Sequence, residues 1–225
     1  MLNLYHSRKM ETQKLYHSTP NELQTEATCL KCIQVGDVYH VVLDKTIFHP
    51  KGGGQKADAG TINDVIQVSE VLANRDSREI LHLVTSPITE GTKVSLRVDP
   101  TVRRLNSQWH SAGHLLALIV ANLYQVDLSQ MKAHQYPDEG YVEFPSDLSK
   151  GDIDTEKLVQ GCLKAINDSL TITYSQTEHG RFVEIDSLGS IPCGGTHVEN
   201  TSEIGNLGIR KVKKKGGNIK ISYFI

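Results

Sequence analysis

Two pairs of metal-type donors carry the chemistry of this chain, each with three residues between its members. His110 and His114 lie in Ser107-Gln-Trp-His-Ser-Ala-Gly-His-Leu-Leu116. Cys193 and His197 lie far downstream, in Ile191-Pro-Cys-Gly-Gly-Thr-His-Val198. Two histidines at i and i+4 project from one face of a helix and can hold one ion. Glycines after a cysteine let the loop turn back, so that a second donor can reach the same point. Imidazole and thiolate together are what a zinc ion takes. Four protein ligands would close a structural site, whereas a catalytic site needs an open position or a loosely held ligand. The spacing leaves both open. A loose His197 would free a position where zinc could lower the pKa of bound water or hold a substrate.

Other hydrolytic constellations are missing. There is no Gly-x-Ser-x-Gly elbow and no Ser-His-Asp order. His110-Ser-Ala-Gly-His114 has the wrong spacing, and no glutamate, for a His-Glu-x2-His protease. Neither a phosphate-binding Gly-x4-Gly-Lys-Ser/Thr nor a Gly-x-Gly-x2-Gly after a strand occurs, so no nucleotide cofactor is expected. Hydrophobic content of 38 % and charged content of 22 % suit a globular protein. No apolar run reaches the ~18 residues of a membrane span. The N-terminus lacks the apolar core of a signal peptide, so a cytoplasmic location is expected. Four cysteines are too few for a disulfide scaffold. With a formal net charge of −2, any nucleic-acid affinity must come from a local patch. Arg210-Lys-Val-Lys-Lys-Lys215, followed by Gly216, Gly217 and Lys220, is such a patch, although charge runs in hairpins are commonly just solvated surface.

The elements that must position these donors follow from period and punctuation. Short β-branched runs at 38–43, 64–71, 79–84 and 93–98 predict a small β-barrel. Cys29 and Cys32 read as plain strand residues there. Thr46–Gly60 contains Gly52, Gly53 and Gly54, followed by Gln55, and is either a hairpin tip or a close approach to a ligand. Asp99-Pro100 predicts a helix start, with the helix running to about Tyr124. Its apolar stripe is Val102, Leu105, Trp109, Ala112, Leu116, Ile119 and Leu123. His110 and His114 fall off that stripe. Leu115, Leu118 and Val120 imply burial on further faces, so the histidines should line an internal cleft. A strand at 140–144, a helix at 154–170 and strands at 171–174 and 182–185 follow. A last hairpin at 208–212 and 218–224 turns at Gly216-Gly217. The sum is α+β, with the boundary between two domains near 86–100.

At these motifs a resemblance becomes specific. His110-x3-His114-Leu-Leu116 and Cys193-Gly-Gly-Thr-His-Val-x-Asn-Thr-Ser-Glu-Ile-Gly205 resemble the editing domain of alanyl-tRNA synthetase. Phe48-His-Pro-Lys-Gly-Gly-Gly-Gln55, with Asp58 and Gly60, resembles that enzyme's glycine-rich portion, and the 210–221 hairpin is similar as well. Met10 is a possible start. The likeness from there on is to a free-standing editing protein of the AlaX type, in its medium-length form. It implies a disordered extension at 1–9, a glycine-rich β-barrel domain at 10–95 and an α+β zinc-binding editing domain at 96–225. It implies hydrolysis of the ester joining serine or glycine to tRNA(Ala), with zinc on His110, His114, Cys193 and His197 as the catalytic centre. Gln130 would line the amino-acid pocket, and Gly52, Gly53, Gly54 and Gln55 would approach it from the other domain. Arg210, Lys211, Lys213 and Lys220 would meet acceptor-stem phosphates.

Two residues depart from the family pattern. Gly113 stands where a threonine that selects the serine hydroxyl is common, which implies an enlarged pocket with room for a threonine-sized residue. His49 replaces a usual tyrosine. A non-catalytic zinc-stabilised tRNA-binding module and a zinc hydrolase of small esters or amides are the alternatives, and the oligomeric state stays open.

Overall fold

The computed structural model describes residues 11–74 and 76–225. The expected extension at 1–9 and the possible start at Met10 lie outside the described residues. The chain is α+β and divides into two compact units. One comprises the chain up to Lys51 together with Ala57–Asp99, and the other comprises Gly52–Lys56 together with Pro100–Ile225.

The first unit is a closed six-stranded barrel. Around the barrel the strands run Gln24–Val35, Val38–Leu43, Ile80–Val84, Ile66–Ala73, Gly60–Ile62 and Lys93–Val98, and every neighbouring pair is antiparallel. Period-two alternation sets its inside. In Lys93–Val98, Val94, Leu96 and Val98 are buried while Lys93, Ser95 and Arg97 are exposed. Register shifts between Cys29 and Lys31 and between Val68 and Glu70 supply the bends that closure needs. The strand expected at 64–71 is observed at Ile66–Ala73. Asn63 and Asp64 both take positive φ, 52° and 62°, and spend those two positions on the hairpin turn. Cys29 and Cys32 are free cysteines within Gln24–Val35. Burial pushes the Cys29 thiol up to about 11. His49 is buried, lies edge-on to Tyr16 at 5.3 Å, and donates its backbone N–H to Asp58 at 2.6 Å.

The second unit is built on the helix Pro100–Tyr124. Every residue from Trp109 to Val120 is buried, so the helix is covered on all sides along its middle. Leu105 and Leu123 of the expected stripe are instead exposed, because burial follows the covered middle and not the helical period. A four-stranded sheet has the order Gly208–Lys215, Asn218–Phe224, Tyr141–Pro145, Lys132–His134. Its apolar face is supplied by Val142, Phe144, Val212, Ile219, Ile221 and Tyr223. Tyr223 packs on Trp109 at 5.5 Å and donates its hydroxyl to the Trp109 carbonyl. A three-stranded antiparallel sheet joins Ile172–Thr177, Gly180–Ile185 and Gly189–Pro192. The helix expected over 154–170 is Thr155–Asn167. Asp154 is its N-cap and accepts from Lys157 N, and Ser169 at φ 51° leaves the helical region beyond its end. Cys162 is buried in this core.

Candidate metal centre

The long helix brings His110 and His114 to one side, with ring centroids 4.9 Å apart. The loop after Gly189–Pro192 carries Cys193 and His197 to the same point. The His197 ring is 4.4 Å from that of His110 and 4.5 Å from that of His114. One donor atom from each of the four residues lies within 4.8 Å of all the others. The three histidines are buried and Cys193 is half-buried.

Neighbours fix which atoms point inward. Gln55 Oε1 accepts the Thr196 N–H at 2.9 Å and lies 2.5 Å from His110 Nδ1. That oxygen can only accept, so Nδ1 of His110 carries the proton and its Nε2 lone pair faces Cys193 Sγ at 3.5 Å. On His197, Nδ1 is engaged by Ser111 Oγ at 3.0 Å, which leaves Nε2 3.3 Å from the same sulfur. Ser111 Oγ also accepts the Val198 N–H. Gln55 Nε2 donates to Thr196 Oγ1, which lies 2.8 Å from Ser107 Oγ. Ring nitrogens held at the far side in this way are the usual support of metal-binding histidines.

The loop is pinned as well. Arg181 stacks 4.0 Å over Tyr174 and donates to the carbonyls of Cys193 and Gly195. The Tyr174 hydroxyl accepts the His197 N–H. A side chain at Gly195 would start 2.1 Å from His110 Cε1, so only glycine lets the loop cross that ring. Burial, opposed by the Gly195 N–H and then by Arg181, pushes the Cys193 thiol up to about 11. Burial, reinforced by Arg181, pulls His114 down to about 4.

A metal fits this arrangement on three counts. The donor set is three imidazoles and a thiol. His114 Nδ1 is buried with no hydrogen-bond partner among the described residues. Tetrahedral zinc with bonds of about 2.0–2.3 Å would set neighbouring donors roughly 3.6 Å apart, and Cys193 Sγ already stands 3.3 and 3.5 Å from the two Nε2 atoms.

Beside the four residues is a cavity of 380 Å³. Gly53, Gly54, Met131, Ala133, Gln135 and Ile191 are among its walls, together with His110, His114 and Cys193. The segment Gly52–Gln55 forms a tight turn, closed by reciprocal backbone hydrogen bonds between its ends. Gly53 and Gly54, at φ 58° and 82°, are its central pair, the conformation that favours glycine at both positions. Gln55 reaches the cluster as described, and Gly52 belongs to the turn without lining the cavity.

Two expectations need correction. Gln130 is exposed and is absent from the walls; Gln135, buried and five residues on, lines the cavity. No motif marked Gln135, Thr196, Ser107, Ser111 or Arg181 in the sequence, although Thr196 sits inside the Cys-Gly-Gly-Thr-His run. The enlargement expected at Gly113 does not arise either. A Cβ there would lie 2.7 Å from Gln135 Cγ and Nε2 and 2.9 Å from the Tyr223 hydroxyl, so that space is already filled.

The basic hairpin is exposed along Lys211, Lys213 and Arg210, and Lys220 is half-buried. Lys213 stands directly opposite Lys220, a like-charge pair that the hairpin by itself does not favour. Lys220 Nζ sits 3.2 Å over the Tyr141 ring. Arg210 donates to the Asp138 carbonyl at 2.8 Å. Among the described residues, no helix is long and apolar enough to cross a membrane.

The class follows from comparison with known proteins. Residues 3–102 match the family of class II (A) tRNA synthetases, and residues 181–220 match the second additional domain of threonyl and alanyl tRNA synthetases. The chain is 30 % identical over 181 residues to alanyl-tRNA editing protein AlaX-M of Pyrococcus horikoshii, covering 77 % of this chain and 80 % of that protein. It thus belongs to the family of alanyl-tRNA editing proteins. Similarity extends over 92 % of the chain to AlaX-L of Pyrococcus horikoshii, at 28 % identity, and to Aarsd1 of Mus musculus, at 29 %. The chain spans only about half of each, 56 % and 54 %.

Proposed function

We propose that this chain hydrolyses the ester that joins a wrong amino acid, serine or glycine, to the 3′ end of tRNA(Ala). The observation that carries this reading is the convergence of His110 Nε2 and His197 Nε2 on Cys193 Sγ, beside a cavity of 380 Å³. Kinship with alanyl-tRNA editing proteins supports the substrate class. His110, His114, Cys193 and His197 would hold zinc. When bound, that ion supplies a Lewis acid able to polarise an ester or acidify a water.

The rest is done by the chain's own residues. Gln55 and Ser111 hold two imidazoles in orientation. Arg181 and Tyr174 fix the backbone of the loop. Met131, Ala133 and Ile191 provide an apolar wall that limits water and selects for small side chains. Among the described residues, no aspartate or glutamate lines the cavity. Lys211, Lys213, Lys220 and Arg210 would neutralise acceptor-stem phosphates, which gives the unfavourable Lys213–Lys220 pairing a use.

Editing has a physical motive. A synthetase pocket for alanine distinguishes one small group by only ~1–3 kcal/mol, so a second hydrolytic site is needed for fidelity. The test is deacylation of Ser-, Gly-, Ala- and Thr-charged tRNA, with and without a chelator. Hydrolysis of Ser-tRNA(Ala), lost on chelation and declining steeply with salt, is expected. Tight tRNA binding with no turnover would convert the reading to a binding module, and turnover of Thr-charged tRNA alone would shift the specificity.

A further inference from the structure

We infer that Gln135 is the residue that reads the amino acid in this cavity, accepting a hydrogen bond from a side-chain hydroxyl. The inference rests on the aminoacyl-ester reading above.

Two glycines build the place where this side chain lies. Gly113, on the long helix, would bring a Cβ to 2.7 Å from Gln135 Cγ and Nε2. Gly54, at the turn, would bring one to 2.6 Å from Gln135 Oε1. Any side chain at either position would displace the amide. The backbone is tied in the same place, since the Gln135 N–H donates to the Gly54 carbonyl at 2.8 Å. A glutamine held between two glycines in a cavity wall is positioned, and its entropy of ordering is already lost before a ligand arrives.

The amide is also unsatisfied. Gln135 is 1 % exposed, and its Oε1 is buried with no hydrogen-bond partner among the described residues. An amide oxygen left so costs about 1–3 kcal/mol, a cost that a donor from a ligand removes. The chemistry of that donor follows from the walls. A neutral amide offers both an acceptor and a donor, which matches a hydroxyl, itself both donor and acceptor. The α-amino group is common to every aminoacyl ester and cannot tell serine from alanine, whereas the hydroxyl can. A methyl group in place of the hydroxyl would leave Oε1 unpaired, at a cost of about 1–3 kcal/mol. Gly113 therefore does not loosen selection. It makes room for a polar group delivered from the strand side.

The test compares kcat/KM for Ser-, Ala- and Gly-charged tRNA(Ala) in the wild-type protein and in Gln135→Met, which keeps the volume and removes the hydrogen bond. The serine-over-alanine and serine-over-glycine preferences are each expected to fall roughly tenfold to a hundredfold, while the bound zinc stays within about twofold of wild type. An unchanged preference overturns the inference, and so does equal loss on Ser and Gly, which would mark a structural role. A measurement on the wild-type chain stands apart from any folding defect. The Gln135 side-chain amide resonance should shift on titration with the non-hydrolysable amide of serine on 3′-amino-adenosine and stay in place with the alanine counterpart; identical responses overturn the inference. If the wild type hydrolyses no charged tRNA and binds neither analogue, the editing reading fails and takes the inference with it. If it hydrolyses Ser-tRNA(Ala) and only the Gln135 results are negative, the inference alone fails.

Discussion

His82 in the barrel and His110 on the long helix are both buried histidines, at 0 % and 1 % exposure. Their surroundings differ in one respect. His82 Nδ1 donates to the Val41 carbonyl at 3.1 Å and Nε2 accepts from Thr46 Oγ1 at 2.8 Å, so both ring nitrogens are used within the barrel. His110 has Nδ1 engaged by Gln55, while its Nε2 faces the Cys193 thiol at 3.5 Å and lies in a cluster with two further imidazoles. Burial alone thus does not distinguish a core histidine from a candidate ligand. What distinguishes these two is what the second nitrogen faces: a threonine hydroxyl for His82 and a thiol for His110.

The comparison can be broken most sharply at the cluster. His110→Ala or Cys193→Ala is expected to abolish stoichiometric zinc and to lower deacylation on the order of a thousandfold, the several kcal/mol that metal activation supplies. Metal analysis alongside single-turnover rates reads both, and full activity in either variant would end the metal reading.

Next in size is a pH effect confined to the barrel. Burial, only partly opposed by the Val41 carbonyl, holds His82 down from 6.5 to about 4. The unfolded chain binds a proton there between about pH 6.5 and 4 and the folded chain does not. Stability is therefore complete above 6.5 and falls as pH drops toward 4, by on the order of 3 kcal/mol from this group. Urea denaturation at pH 7 and pH 4.5, with His82→Gln as the reference, checks this; an equal pH slope in both proteins would sink it.

Gln55 comes next. Gln55→Leu frees His110 Nδ1 and is expected to weaken zinc affinity or activity about tenfold to a hundredfold, with the fold retained. Competition with a chromophoric chelator measures the affinity. The smallest effect is expected from Thr46→Val, which strips the partner from His82 Nε2 and from the Phe48 N–H. A loss of about 1–3 kcal/mol in thermal or urea stability, with zinc content unchanged, would sharpen the contrast. A change in zinc content would blur it.

How much of this was legible in the residues varies by element. The Pro100–Tyr124 helix could be placed from Asp99-Pro100 and its periodicity, because capping and period are local properties. The final hairpin around Gly216-Gly217 was readable for the same reason. The two His/Cys pairs could be grouped because three-residue spacing is a local geometric fact, and the family resemblance rested on the same motifs. The short strands Lys132–His134 and Gly189–Pro192 escaped notice, since three or four residues carry too little alternation to stand out.

The sequence by itself determined the donor types, their pairwise spacing, the element that carries each pair and the family. Only the tertiary structure decided that Gln135 and not Gln130 faces the cavity, and that Gln135 fills the space beside Gly113. The physical reason is that a donor pair on one helix is fixed by 3.6 residues per turn. What occupies the space beside a glycine depends on residues far along the chain, brought there by packing that no local period encodes.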